Sequence, residues 1–361
     1  MNTLDHEHTE DSNSLPADEE VFSNALPNHS DECITEEGVT DISRSNLPTT
    51  MQLFVALLLL ASVFGVSYLP WLHTKSHTPS TVEKSIRSEE KQQRAEVVVP
   101  EPKIEATSAF IWDIRHQRAL FSKNASAQLP LASITKLMTS LVALESLPKG
   151  SKVAMTLDAI HQDGPSDFTD GETFDAKALS DFSLVSSSND GAYALAAAAG
   201  ATLLRKDNEN STSSFITAMN KRAEELGLTQ TYFVNTTGLD ENTTKSGSYG
   251  SARDMTFLME YLIEHHPEIL ESTTVKMTTV RGNTLHTATN TNEIVNHIPG
   301  LLGSKTGYTD LAGGNLVIVF DAGLNRPVVV SVLGSSREGR FKDVASLIAF
   351  AQKTITVGEQ P

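Results

Sequence analysis

Leu131-Ala132-Ser133-Ile134-Thr135-Lys136-Leu137-Met138-Thr139 is the stretch from which the other parts of this 361-residue chain take their meaning. Ser133 and Lys136 stand three residues apart, and apolar residues follow at Leu137, Met138, Leu141, Val142 and Leu144. That spacing predicts an amphipathic helix running to Leu147, where Pro148 and Gly150 stop it. Residues i and i+3 share a helix face, so the serine hydroxyl and the lysine amine lie side by side. A hydroxyl is a poor nucleophile until a neighbouring base takes its proton. A lysine serves as that base only where burial or a second cation lowers its pKa. A helix N-terminus beneath the serine adds a positive dipole end. Ser-x-x-Lys also occurs by chance on solvated helix faces, so its weight depends on what else in the chain answers to it.

Working outward, Ala109-Phe110-Ile111-Trp112 and Ala119-Leu120-Phe121 flank a polar turn and predict a β-hairpin. Helices are expected over 176–185, 191–199 and 215–226, and another from the capping box at Ser251 to Pro267. Residues 275–280 and 284–288 flank Arg281-Gly282-Asn283 as a second hairpin. β-Branched runs at 316–320 and 327–333 predict strands, and a last helix spans about 340–354. Strands at both ends with helices between them give an α+β fold: an antiparallel sheet flanked by helices, with an all-helical insert. The folded domain is expected over 106–356.

The first hundred residues are of another kind. Residues 1–50 hold twelve Asp and Glu against Arg44 alone, a net −11 that leaves −6 of the total −17 for the other 311 residues. Such a segment buries too little apolar area to offset its ordering entropy and is expected to be a disordered tail. Met51 to Leu69 carries no charge and is dense in Leu, Val, Ala and Phe. Nineteen residues in a helix span about 28 Å, close to a hydrocarbon core, so 51–71 is expected to be a single transmembrane helix. Residues 72–105 are polar with three prolines and read as a flexible tether. Basic residues flanking the span (Arg44 before, Lys75 and Lys84 after) lean slightly against an outside C-terminus. No basic cluster interleaved with aromatics occurs, so nucleic acid is not an expected partner. Cys33, the only cysteine, lies in the tail, which excludes a disulfide framework or cysteine-ligated metal. No His-Glu-x-x-His spacing occurs among the eleven histidines, and neither metal nor cofactor is expected.

Two later stretches answer to Ser133. Ser186-Ser187-Ser188-Asn189-Asp190 lies between alanine-rich helical runs, where serines and asparagines ordinarily cap helices. Gly303-Ser304-Lys305-Thr306-Gly307-Tyr308-Thr309 leads into the strand at Asn315, and alone it reads as a turn with a solvated lysine. Ser-x-x-Lys, Ser-x-Asn and Lys-Thr-Gly in this order form the signature of penicillin-recognising serine enzymes. The region from about 106 to 354 resembles the serine-type D-alanyl-D-alanine carboxypeptidases, the low-molecular-mass penicillin-binding proteins. The likeness extends to Phe233-Val-Asn235-Thr-Thr-Gly238-Leu239 and to Ser251-Ala-Arg253-Asp254-Met255.

The resemblance implies an acyl-enzyme on Ser133, formed at the penultimate D-alanine of a peptidoglycan stem peptide, with β-lactams as inhibitors. It implies Lys136 as base, Ser187 as proton relay and Asn189 as a hold on the substrate amide and on Lys136. It further implies Lys305 as a source of positive potential, Thr306 as a hydrogen-bond partner of the substrate carboxylate, and an oxyanion hole from the N–H groups of Ser133 and Tyr308. Gly307 would let the substrate lie along the strand edge. This chemistry places the catalytic part outside a cell membrane and the tail in the cytoplasm. Two departures stand out. Some members carry an arginine shortly before the Lys-Thr-Gly strand, where this chain has Asn290-Thr291-Asn292. Some relatives continue into a second β-rich domain with a membrane-binding helix. A β-lactamase of the kind with a dedicated base would carry Glu-x-x-Leu-Asn between the second and third motifs, and Glu224-Glu225-Leu226-Gly227 does not fit it. A D,D-endopeptidase or a non-catalytic β-lactam sensor uses the same fold.

Overall fold

β-Branched and aromatic residues open and close the folded region, and they meet in one sheet. The computed structural model describes residues 99–164, 168–204 and 210–358. The acidic tail, the expected span 51–71 and the tether as far as residue 98 lie outside them. Among the described residues no helix is long and apolar enough to cross a membrane.

The chain first forms β1 (Ser108–Asp113) and β2 (Arg118–Lys123), then β3 (Leu129–Pro130), a 3-10 turn (Ala132–Thr135) and α1 (Lys136–Ser146). β4 (Lys152–Ala154), α2 (Leu157–Ile160), β5 (Thr173–Asp175), α3 (Ala176–Val185), α4 (Asn189–Leu203) and α5 (Ser211–Glu225) make the insert. β6 (Tyr232–Phe233), β7 (Ser248–Gly250), α6 (Ala252–His265) and α7 (Pro267–Leu270) lead to the hairpin β8 (Met277–Arg281) and β9 (Leu285–Thr289). β10 (Leu301–Thr309), β11 (Gly313–Asp321), β12 (Pro327–Ser335) and α8 (Gly339–Gly358) complete the described chain. The main sheet has the order β10-β11-β12-β1-β2, with every neighbouring pair antiparallel. Both ends of the folded region therefore close the sheet, as expected. The insert is not purely helical, because β4 pairs with β5.

β11 and β12 are buried on both faces, which is why they read as nearly continuous apolar runs. On one face Val317, Val319, Val329 and Leu333 join the core shared with the helices. On the other, Leu316, Ile318, Phe320, Val328, Val330 and Val332 pack with Phe341, Val344 and Leu347 of α8. Each such side chain, fully buried, contributes about 1.5–3 kcal/mol.

Four local departures from the expected pattern matter for the site. Ser133 does not begin an α-helix; it lies in the 3-10 turn, and α1 starts at Lys136. In a 3-10 turn i and i+3 eclipse, so the pair is closer than on an α-helix. Nor is α1 amphipathic: every residue from Lys136 to Ala143 is buried, because other elements surround the helix. The helix expected from Gly191 begins at Asn189 instead, with Ser188 as its N-cap accepting from Gly191 N at 3.1 Å. Finally, Lys305-Thr306-Gly307 is not a turn before a strand but part of edge strand β10. Its two glycines and polar side chains hide the alternation that marks a strand.

Small residues let α4 approach its neighbours closely. A Cβ on Gly200 would lie 1.9 Å from the Ser211 carbonyl oxygen at the start of α5. Gly200→Val is expected to destabilise the fold by about 3 kcal/mol, read as a lowered midpoint in thermal or urea denaturation.

Candidate active site

The 3-10 turn, the loop between α3 and α4, and β10 bring their polar side chains to one place. Lys136 Nζ donates to Ser133 Oγ at 2.8 Å, to Asn189 Oδ1 at 2.8 Å and to the Thr237 carbonyl at 2.9 Å. Lys305 Nζ donates to Ser187 Oγ at 2.9 Å and to the Thr306 carbonyl at 2.9 Å. All five residues of the Ser-x-x-Lys, Ser-x-Asn and Lys motifs thus take part in hydrogen bonds, in two groups centred on Lys136 and Lys305.

Both amines are buried, Lys136 at 0% exposure and Lys305 at 1%. Burial disfavours the ammonium form and brings the Lys136 pKa from its ordinary value down to about 7. Burial also holds Lys305 well below the lysine range, with the nearby Lys136 and Arg340 adding to the effect. The number of amine hydrogens then decides the chemistry. A neutral amine has two, and Asn189 Oδ1 and the Thr237 carbonyl are acceptors only. With both hydrogens directed there, the lone pair faces Ser133 Oγ, and the hydroxyl becomes the donor. In that state the amine is oriented to receive the serine proton.

The backbone around these groups is specialised. Ala132 (φ 49°) and Ser187 (φ 63°) adopt left-handed conformations that cost a non-glycine residue about 1–2 kcal/mol. The sharp turns they make aim Ser133 and Ser187 into the same space. Asn315 of β11, fully buried, donates through Nδ2 to the carbonyls of Pro130 and Leu131, both at 3.0 Å, and so ties the Ser133 turn to the sheet. Gly307 permits the contact from β10: a Cβ there would lie 2.8 Å from Leu131 O and 3.2 Å from Ser133 N. Tyr308, next along the strand, is 39% exposed, and the Arg337 guanidinium lies 4.6 Å from its ring centroid.

The departure at Asn290-Thr291-Asn292 has a structural counterpart. Asn290 Nδ2 donates to the carbonyls of Thr273 and Val275, both at 2.9 Å, and Asn292 Nδ2 donates to Ser304 Oγ at 3.1 Å. Thr291 Oγ1 shares a hydrogen bond with Thr306 Oγ1. The segment therefore fixes the β10 side chain whose hydroxyl is a candidate carboxylate partner. Beside Asn189, whose Nδ2 donates to the Asp163 carbonyl, opens a cavity of about 360 Å³ lined by residues that include Asp163, Tyr193, Thr237, Asp240 and Glu241.

Sequence analysis did not find Thr237, Thr291, Asp163 or Asn315. Thr237 and Asp163 act through carbonyls, which every residue has. Asn315 left a trace, a polar residue at the start of a strongly β-branched run. Thr237 also lies in the Asn235-Thr-Thr-Gly stretch, which the family resemblance had singled out without a task.

Comparison with known proteins identifies the family. Residues 95–337 match the Peptidase S11 family, D-alanyl-D-alanine carboxypeptidase, and the chain belongs to that family. D-alanyl-D-alanine carboxypeptidase DacF of Bacillus subtilis is 32% identical over 255 residues, which cover 68% of this chain and 62% of that protein. The chain thus spans less than two thirds of that relative's length. A D-alanyl-D-alanine endopeptidase of Escherichia coli is 29% identical over 261 residues, 70% of this chain and 79% of that one. Penicillin-Binding Protein D2 from Listeria monocytogenes, solved in its ampicillin-bound form, superposes with a TM-score of 0.57 at 30% identity, covering 70% of this chain and 99% of that chain.

Gly238 sets a strict requirement beside Lys136. Its φ is +81°, and a Cβ would lie 1.9 Å from the Ala132 carbonyl oxygen. Gly238→Ala is expected to lower stability by about 3 kcal/mol, measured by denaturant titration against the wild type.

Proposed function

We propose that this chain is a serine-type D-Ala-D-Ala carboxypeptidase acting on peptidoglycan stem peptides. The observation that carries it is the buried Lys136 amine, 2.8 Å from Ser133 Oγ with two carbonyl acceptors for its remaining hydrogens. Ser133 Oγ attacks the carbonyl of the penultimate D-alanine while its proton passes to Lys136 Nζ. A C–O bond forms, and the carbonyl oxygen takes the charge between the N–H groups of Ser133 and Tyr308. Losing one such donor costs about 10²–10³ in rate in comparable sites.

The intermediate collapses by breaking the C–N bond. Ser187, hydrogen-bonded to Lys305, gives its proton to the leaving D-alanine amine and receives in its place the proton that Lys136 took. Water then attacks the acyl carbonyl as Lys136, neutral again, takes its proton, and Ser133 Oγ leaves with that proton when the ester C–O bond breaks. Thr306 and Lys305 receive the substrate's terminal carboxylate. Its negative charge beside Lys305 raises that amine's pKa again, so binding restores the cation that binding uses. Gly307 leaves room for the substrate to lie along the open edge of β10. β-Lactams present a carboxylate and an acylating carbonyl to the same groups, a reading supported by the similarity to the Listeria protein solved in its ampicillin-bound form.

The uncharged run at 51–71 supports single-pass membrane anchoring, with residues 1–50 in the cytoplasm, 72–105 as the tether and the domain at 106–356 outside. The similarity to the Escherichia coli endopeptidase supports a second substrate, the D,D-crosslink, for the same chemistry.

The full chain incubated with a pentapeptide ending in D-Ala-D-Ala is expected to release free D-alanine, measured by mass spectrometry, and Ser133→Ala to release none. A wild type that releases no D-alanine from the pentapeptide overturns the carboxypeptidase proposal; a crosslinked muropeptide dimer tests the second substrate alongside. Because the base must be neutral, acylation by a fluorescent penicillin is expected to rise with pH through about 7 and level above it. Lys136→Ala is expected to lower acylation by about 10²–10⁴ and to remove that pH step.

A further inference from the structure

The stretch from Asn235 to Asp240 contributes only one carbonyl to the chemistry above, yet it touches both the Ser133 turn and the turn that follows β10. One side chain folds it: Asn235 Oδ1 accepts from the N–H groups of Thr237 at 3.2 Å and Gly238 at 2.8 Å, while its Nδ2 donates to the Leu239 carbonyl at 3.0 Å. Thr237 holds Lys136 through its carbonyl. Gly238 lies so close to Ala132 that no Cβ fits between them, which presses the loop against the Ser133 turn. Asp240 reaches the opposite way. Its Oδ1 accepts from Thr309 Oγ1 at 3.0 Å and its Oδ2 from the Leu311 N–H at 3.2 Å. Thr309 Oγ1 in turn accepts from the Ala312 N–H at 3.2 Å, so the carboxylate grips the whole turn between β10 and β11.

We propose that Asp240 is a positioning residue for acyl transfer: through Thr309 and Leu311 it sets the gap between the Ser133 turn and the Tyr308 end of β10. This rests on the proposed acyl transfer and deepens it. An oxyanion hole works only when both donors lie about 2.7–3.1 Å from the place the oxygen comes to occupy. One donor belongs to the 3-10 turn and the other to an edge strand, two pieces far apart in sequence. Among the described residues β10 has β11 on one side and no strand on the other, so its Tyr308 end lacks the second row of ladder bonds that fixes an interior strand. Asp240 supplies two hydrogen bonds at that end, from a loop already locked to the Ser133 turn. The loop acts as a spacer between the two halves of the hole.

The test uses full-length wild type, Asp240→Ala, Asp240→Asn, Thr309→Val and the double variant Asp240→Ala/Thr309→Val. Measured are kcat and KM for D-alanine release, the acylation rate with a fluorescent penicillin, the titre of acylatable sites and the thermal midpoint. Asp240→Ala is expected to lower kcat and acylation rate about ten- to a hundred-fold, as small misplacements in a preorganised site do, with KM and titre near wild type. Asp240→Asn, which keeps one acceptor oxygen, recovers most of the rate. The double variant is no slower than Asp240→Ala, because both changes cut the same link. An unimpaired Asp240→Ala overturns the proposal. So does a raised KM with normal kcat, which would make Asp240 a substrate contact in the adjoining cavity. Losses that follow the titre or the midpoint, or that add in the double variant, overturn it as well. A wild type that neither releases D-alanine nor takes up penicillin overturns the proposed activity and this role together, whereas an active wild type beside an active Asp240→Ala overturns only the role.

Discussion

An amine with no access to water and three oxygen neighbours governs this structure. Lys136 is fully buried, and every polar atom within reach of its nitrogen is held by a different part of the chain: Ser133 by the 3-10 turn, Asn189 by the first residue of α4, Thr237 by a loop before β7. A charged lysine in such a place loses most of its hydration, and three hydrogen bonds return only part of it. Burial shifts the balance toward the neutral form in consequence, and a neutral amine needs one of its neighbours to become a donor. Only the serine can. Burial therefore does two things together: it lowers the basicity of the lysine to a useful value, and it leaves the serine hydroxyl as the one group able to complete the set.

The same constraint explains features that look unrelated. α1 is enclosed because its first residue must be enclosed. α4 is made of alanine and glycine because it has to start at Asn189, beside Lys136, and still pack against α1, α3 and α5. Ser187 holds a left-handed backbone because the chain must turn between two buried helices while directing a hydroxyl at Lys305. Asn315 stands, fully buried, just before the apolar run of β11 because the carbonyls before the Ser133 turn have to be met by donors from the sheet.

How far the residues alone disclosed this arrangement depended on which part of a residue does the work. Side chains with distinctive chemistry at fixed spacing, Ser133 with Lys136 and Ser187 with Asn189, were legible only when taken together in order with Lys305-Thr306-Gly307, and valine-rich runs disclosed β11 and β12. Lys305 was legible as chemistry but not as structure, since glycines at 303 and 307 mask a strand that pairs on one side only. Thr237 could not be read, because it serves through a carbonyl. Asp240 and Thr291 were equally silent: their contacts, to Thr309 and Thr306, come from across the fold and leave no period in the sequence. The turn at 132–135 was misread as helix because the apolar spacing that follows it continues smoothly backward through Ser133.

The order of strands has a kinetic consequence. Ser108 pairs with Leu333, and β1 reaches the sheet only after almost the whole folded sequence has been made. The central pairing must close a very long loop before any of its contacts can repay the lost freedom, which places this domain among slow folders. Until β12 arrives, β1 and β2 form an isolated hairpin with one row of backbone groups uncovered, a surface on which foreign strands can pair. A growing chain of this kind gains most from a helper that shields its first two strands during that wait.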